Sequence, residues 1–222
     1  MATSTKRSYE EACGVAHAGD LIGERWALLV IRELMLGPKR FTDLRTGIPR
    51  VSPNVLTQRL QELEEAGIVT RRKLPPPAAS RVYELTDWGR ELELMMLQLG
   101  AWAARSPAFP REAPVGTDAI ALMLKSLFDG AAAGELDAVY EVRLGGEPFR
   151  AEVHDGQFEI ERGAAENPAA AIETEPKILP ALISGELPLA KAVDAGSVKI
   201  DGSTAAVTRF LGLFAMPEPV AA

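Results

Sequence analysis

Ser52-Pro53-Asn54-Val55-Leu56-Thr57-Gln58-Arg59-Leu60, continued by Leu63 and closed by Gly67, decides the reading of the N-terminal half. Serine can accept hydrogen bonds from the free amides of a helix start. Proline suits the first helical position because its missing donor costs nothing there. At about 100° per residue, Leu56, Leu60 and Leu63 form a narrow apolar stripe. Asn54, Gln58 and Gln61 lie opposite it, with Thr57 and Arg59 on the flanks. The spacing predicts a capped helix that offers amides and a guanidinium outward.

Upstream, residues 15–22 read as a short helix ended by Gly23. Trp26, Leu29, Val30 and Leu34 recur at helical spacing until Gly37-Pro38 stops them. Phe41-Thr42-Asp43-Leu44-Arg45 is a third, brief helix before the turn residues Gly47 and Pro49. Downstream, residues 68–74 and 81–85 read as two strands joined by Pro75-Pro76-Pro77-Ala78-Ala79-Ser80. Thr86-Asp87 then caps a long helix carrying Leu92, Met95, Met96, Leu99 and Trp102. Three helices, a capped helix rich in hydrogen-bonding side chains, and a basic hairpin stand in winged helix-turn-helix order.

That order suits DNA. A helix enters the major groove, where Asn and Gln pair with adenine edges and Arg with guanine. The candidate DNA contacts are Arg40, Ser52, Asn54, Thr57, Gln58 and Arg59, with the hairpin residues Arg71, Arg72, Lys73 and Arg81 for phosphates. Asn54, Gln58 and Arg59 would equally suit the wet face of any amphipathic helix. The hairpin and the local charge favour DNA over that alternative.

Charge sharpens the point. The 222 residues carry a net charge of −7, which at face value argues against a polyanionic partner. The chain divides, however, at a segment with three prolines, Pro107, Pro110 and Pro114, which favours an extended spacer. The N-terminal side has fifteen basic and thirteen acidic residues, and the C-terminal side nine and eighteen. Residues 38–81 alone hold nine basic residues against four acids. Domain charge is what a polyanion meets. The expected domains are 1–106, a linker over 107–116, and 117–222.

Several blocks in one order resemble the HxlR-type regulators. They are Asp20-Leu21-Ile22-Gly23-Glu24-Arg25-Trp26, Ile31-Arg32-Glu33-Leu34, Arg40-Phe41-Thr42-Asp43-Leu44-Arg45, the 52–60 stretch, Gly67-Ile68-Val69 and Tyr83-Glu84-Leu85-Thr86-Asp87-Trp88-Gly89. The resemblance spans about residues 10–104. It implies a bacterial transcription regulator, commonly a repressor, that binds a roughly palindromic double-stranded DNA operator as a homodimer built from the first and last helices of the domain. The chain departs from the family at Pro75-Pro76-Pro77, which stiffens the tip of the wing. Cys13, the single cysteine, stands where some of these regulators sense oxidants or electrophiles. A helix start can lower a thiol pKa; the alternative is a small buried hydrophobe in the dimer interface. Any disulfide would have to be intermolecular.

Beyond the linker, residues 117–133 read as one helix with Ile120, Leu124, Leu127 and Phe128. Three alternating segments follow. Tyr140, Val142 and Leu144, then Phe149, Ala151 and Val153, then Phe158 and Ile160 face one side. Gly145-Gly146 and Asp155-Gly156 are hairpin turn pairs. Residues 170–174 and 197–201 add two strands, helical pieces fall at 177–184 and 187–195, and Ser203 caps a last helix with Phe210 and Phe214. The expected fold class is α+β: a winged helix domain, then a five-stranded antiparallel-type sheet with helices on one side.

This half resembles the sterol carrier protein type two family through Asp155-Gly156, Pro168-Ala169-Ala170-Ala171-Ile172-Glu173-Thr174, Leu182-Ile183-Ser184-Gly185-Glu186-Leu187, Lys191-Ala192 and Gly196-Ser197-Val198-Lys199-Ile200-Asp201-Gly202. The resemblance implies an apolar tunnel between sheet and helices for a small hydrophobic ligand. Phe149, Phe158, Leu182, Leu187, Phe210 and Phe214 are its candidate lining, and each equally suits plain packing.

No nucleophile, base or metal constellation is present, and the two histidines, His17 and His154, lie far apart in sequence. Neither an enzyme nor a cofactor is expected. No apolar run approaches the ~20 residues of a membrane span, and residues 1–11 lack a signal-peptide core, so the expected location is the cytoplasm. The leading reading is a DNA-binding regulator with an effector-sensing C-terminal domain. The alternative is a carrier of hydrophobic ligands whose N-terminal domain only dimerises or contacts protein partners.

Overall fold

The computed structural model describes residues 8–75 and 80–220. The chain forms two compact units, Met1–Glu93 and Leu94–Ala222. The division falls ahead of the proline-rich segment where composition places the joint. Local bonding explains this: Ser126 Oγ donates to the Leu97 carbonyl, and Val220 N–H to that of Arg105, so both stretches belong with the second unit.

In the first unit, α1 (Gly14–Ile22), α2 (Ala27–Met35) and α3 (Phe41–Gly47) precede α4 (Pro53–Glu65). The Ser52 side chain accepts from Val55 N–H and Pro53 opens α4, as the sequence predicts. Leu56, Leu60 and Leu63 are fully buried with Val30, Ile31 and Leu44. Strands β1 (Val69–Lys73) and β2 (Arg81–Leu85) pair antiparallel, and Lys39 adds a bridge to Tyr83. Of the wing tip, Pro76 and Pro77 lie outside the described residues. The predicted long helix is divided. Thr86 accepts from Gly89 N–H to start α5 (Asp87–Arg90), and α6 (Leu92–Ala104) follows after Glu91.

In the second unit, α7 (Thr117–Leu127) stops earlier than the sequence predicts. Phe128 turns extended and bridges Phe214, and a separate turn, α8 (Gly130–Ala133), starts from the Asp129 cap. Strands β3 (Ala138–Leu144), β4 (Glu147–His154) and β5 (Gln157–Arg162) form the predicted meander. β6 (Ala170–Thr174), α9 (Leu179–Ile183), α10 (Leu189–Asp194), β7 (Val198–Gly202) and α11 (Thr204–Leu211) complete the chain.

The sheet order is β5-β4-β3-β6-β7. The sheet is mixed rather than antiparallel throughout, because β6 returns beside β3 and pairs with it in parallel. A chain leaving the edge strand β5 must cross to the centre, and the crossing sets β6 in the same direction as β3. Tyr140, Val142, Leu144, Phe149, Ala151, Val153, Phe158 and Ile160 are buried on one face, with α11 packed against β6 and β7. No helix among the described residues is long and apolar enough to cross a membrane.

Candidate nucleic-acid interface

Helix α4 presents Ser52, Asn54, Thr57 and Gln58 to solvent. Two of these are steadied locally: Thr57 Oγ1 donates to the Pro53 carbonyl at 2.9 Å, and Gln58 Nε2 to Glu62 Oε1 at 2.9 Å. Arg40 is also exposed, at the N-cap of α3, where its backbone N–H donates to Asp43 Oδ2 at 3.0 Å.

The hairpin carries the other four candidates. Arg71, Arg72, Lys73 and Arg81 are all exposed. Arg72 Nε meets Glu84 Oε1 at 2.7 Å, and Arg71 Nε lies 3.7 Å from Glu64. Lys73 stands directly opposite Arg81 in the antiparallel register. Like charges in that position repel, so an anion arriving there lowers the energy of the hairpin itself.

Arg59 breaks the pattern. It is 7% exposed, its Nη1 contacts Glu62, and the same nitrogen lies 3.8 Å from Glu24. Among the described residues its Nε is buried without a hydrogen-bond partner. A base-reading arginine needs a free donor fork in the groove. In this structure Arg59 faces the α1–α2 turn, because α4 packs its flank as well as its leucine stripe against the first unit.

Lys39, one of the nine basic residues of 38–81, is likewise turned inward. Its Nζ sits 2.5 Å from Glu33 Oε2, and Glu33 Oε1 receives Arg32 Nη2 at 2.6 Å. The outward charge therefore comes from Arg40, Arg45, Arg50 and the hairpin, all exposed. Arg45 and Arg50 fall outside the candidates that the sequence pattern picks out. They sit at the end of α3 and in the loop before α4, and a simple exposure rule for arginine would include them.

Cys13 is the N-cap of α1 and half-exposed. The backbone N–H groups of Ala16 and Val15 favour its thiolate and lower its pKa. Alkylation of the folded chain should therefore reach half its maximal rate at a lower pH than alkylation of the urea-unfolded chain. A midpoint at or above the unfolded one would remove any role for those two amides.

The candidate ligand lining falls into three groups. Phe158, Phe210 and Phe214 meet in one ring cluster with Tyr140 and Phe128, at centroid separations from 4.7 to 6.4 Å. Phe149 is buried beside them in β4 but lies under the Arg162 guanidinium, 5.3 Å from its ring. Leu182 is buried on α9, and Leu187 is half-buried beyond it. Two clefts of the second unit, about 320 and 250 Å³, are lined by other residues, among them Glu173, Lys177 and Lys199 in the first and Glu141, Arg143 and Asp201 in the second. Among the described residues no group of three or more His, Cys, Asp or Glu is arranged to hold a metal.

Four helices, the last capped and with an exposed polar face, followed by a basic two-stranded wing define a winged helix-turn-helix protein. The HxlR-like helix-turn-helix family model matches residues 21–108, and the SCP-2 sterol transfer family model matches residues 123–215. The HTH-type transcriptional regulator YodB of Bacillus subtilis (strain 168) is 42% identical over 86 residues, which are 39% of this chain and 77% of YodB. The uncharacterized HTH-type transcriptional regulator YvaP of the same organism is 34% identical over 94 residues, 41% of this chain and 87% of YvaP. Among solved structures, the redox regulator HypR in its oxidized form is 35% identical, with 41% of this chain and 94% of that chain covered and a TM-score of 0.39. The chain belongs to the HxlR-like helix-turn-helix family, and the residues that follow the helix-turn-helix, 123–215, match the SCP-2 sterol transfer family model.

Proposed function

We propose that the protein is a cytoplasmic, non-enzymatic transcription regulator that binds an operator sequence as a homodimer and represses. The observation that carries this reading is the pairing of two surfaces on one unit. Asn54, Thr57 and Gln58 are exposed on a capped helix, and the wing beside it sets Lys73 against Arg81. The first surface has the hydrogen-bonding groups that read base edges, and the second has the charge that holds phosphates. The likeness to the transcriptional regulators YodB and YvaP supports the same reading.

Support for the homodimer comes from apolar surface. No residue of α6 is buried, and Leu94, Met95, Leu99 and Trp102 are exposed on it, as is Val15 on α1. Apolar groups in such number on one helix favour association. Two copies related by a two-fold axis would present half-sites about 10 bp apart, centre to centre.

The SCP-2 match supports an apolar effector for the C-terminal domain. Such a molecule would have to displace the ring cluster of Phe158, Phe210 and Phe214. Binding there would be coupled to the seating of α11, which is the kind of differential interaction an effector requires.

The test is a titration of the full chain on the DNA upstream of its own gene, at several salt concentrations. Asn54→Ala with Gln58→Ala should weaken operator binding by about 1–3 kcal/mol for each base that the two amides read, and leave random DNA unaffected. Arg81→Ala should weaken both DNAs alike and reduce the salt slope by about one. Equal weakening on operator and random DNA for the Asn54 and Gln58 changes would refute the base-reading helix. Failure of the unaltered protein to discriminate the two DNAs would favour the hydrophobic-ligand carrier.

A further inference from the structure

We propose that Arg59 is a positioning residue: it ties the DNA-reading helix α4 to the α1–α2 turn, so that the seating of α1 sets how well α4 fits DNA. The inference rests on the DNA-binding reading above. It starts from an arginine that is out of place. Thr57 and Gln58 on the same turn of α4 are exposed, whereas Arg59 is buried with one of its nitrogens unsatisfied. A guanidinium is a charged set of donors, and burying it with an orphaned N–H is costly. What compensates is charge: Glu62 on its own helix, and Glu24 from the turn between α1 and α2.

That turn is itself held under constraint. Trp26 caps α2 in the left-handed region, at φ 80°, where a bulky residue is disfavoured. The Arg25 guanidinium stacks over the Trp26 ring at 4.9 Å. Glu24 is exposed on the outer side of the same turn and reaches back to Arg59. The connection therefore runs from α1, through a conformationally strained corner, to a charge buried on the recognition helix. Both carboxylates meet Arg59 at Nη1. A displacement of α1 moves Glu24 relative to that nitrogen and is felt at α4 through the charge pair.

The test is a double-mutant cycle with Glu24→Gln and Arg59→Met in the full chain. Affinity is measured on the operator and on a set of single-base-pair variants of it. Tryptophan-monitored thermal unfolding is run in parallel. Each single change should weaken operator binding about tenfold, within the range of measured site couplings, while the ranking of the variant operators stays the same. The double change should be no weaker than Arg59→Met within about twofold, because both break one link. Arg59→Lys, which keeps the charge, should recover part of the loss. Glu24→Gln is the sharpest arm. Removing a carboxylate near a polyanion raises affinity by electrostatics alone, and a merely structural contact would lower the unfolding temperature with it. A loss of affinity at unchanged unfolding temperature supports the link. Effects that multiply independently would overturn it, as would an Arg59→Met loss confined to operators that keep one particular base pair. If the unaltered protein shows no salt-sensitive shift on any DNA, the regulator reading fails before this one is reached.

Discussion

Glu33→Ala is expected to destabilise the first unit by about 3–5 kcal/mol, the range found when one partner of a buried ion pair is removed. Glu33 is 2% exposed on α2 and holds two cations, Lys39 at 2.5 Å and Arg32 at 2.6 Å. Arg32 retains access to water and can rehydrate, but Lys39 is 8% exposed and loses the carboxylate that lies 2.5 Å from its Nζ. Its backbone cannot follow the side chain outward, because Lys39 N–H donates to the Tyr83 carbonyl and Tyr83 N–H to that of Lys39. The damage should therefore reach the wing, where those bonds anchor β2. Replacing both partners with methionine should be close to neutral, since well-packed apolar groups of similar size commonly substitute for a buried pair. Denaturant unfolding followed by tryptophan fluorescence reads the effect, with Trp26 and Trp88 reporting on the first unit. A destabilisation below about 1 kcal/mol for Glu33→Ala would show that the pair contributes little.

The same cluster explains why a glycine stands at position 47. A β-carbon there would collide with the Glu33 carboxylate. From sequence, Gly47 reads as a turn residue at the end of a short helix, which is true and incomplete. The carboxylate that excludes a side chain comes from α2, on the far side of a turn, and local spacing carries no trace of it. Arg59 illustrates the same boundary. A helical projection places it on the flank of α4, and whether a flank is wet or dry depends on what packs against it, here the α1–α2 turn. Features set by neighbours in sequence were legible: the Ser52 and Ser203 caps, the leucine stripe, the two hairpin turns and the alternation of β3, β4 and β5. Features set by distant partners were not. The parallel pairing of β6 with β3 depends on where the chain lands after leaving β5. The break at Phe128 depends on a bridge to Phe214, which lies beyond the last helix.

Local charge was legible in sign but not in placement. Residues 38–81 are basic, yet two of their nine cations are used inside the unit, Lys39 on Glu33 and Arg59 on Glu62 and Glu24. The surface offered to a polyanion is consequently narrower than the count implies, concentrated on the wing and on the approach to α4. That concentration fits a phosphate clamp on either side of a reading helix better than a diffuse basic face does.

Phe210→Ala should be the most damaging single change in the second unit, costing about 3–5 kcal/mol as buried aromatic truncations do. Phe210 is 1% exposed on α11 and meets Tyr140 at 4.7 Å, Phe214 at 5.0 Å and Phe158 at 6.4 Å between centroids. It is the ring through which α11 grips both β3 and β5, so truncating it loosens helix and sheet together. Hydrogen exchange in peptides covering β3–β5 measures the cost, and amides there should open well before those of α4. The vacated space would be apolar and lined by Tyr140, Phe158 and Phe214. Such cavities stay dry and accept small apolar molecules. Benzene or indole should therefore restore part of the missing protection in Phe210→Ala and leave the unaltered chain unchanged. If the unaltered chain responds as strongly as the variant, the ring cluster already yields to apolar ligands and the packed interior is an open binding site. If neither responds and the destabilisation is under about 1 kcal/mol, far short of a buried-ring truncation, α11 is held by something other than its aromatic face.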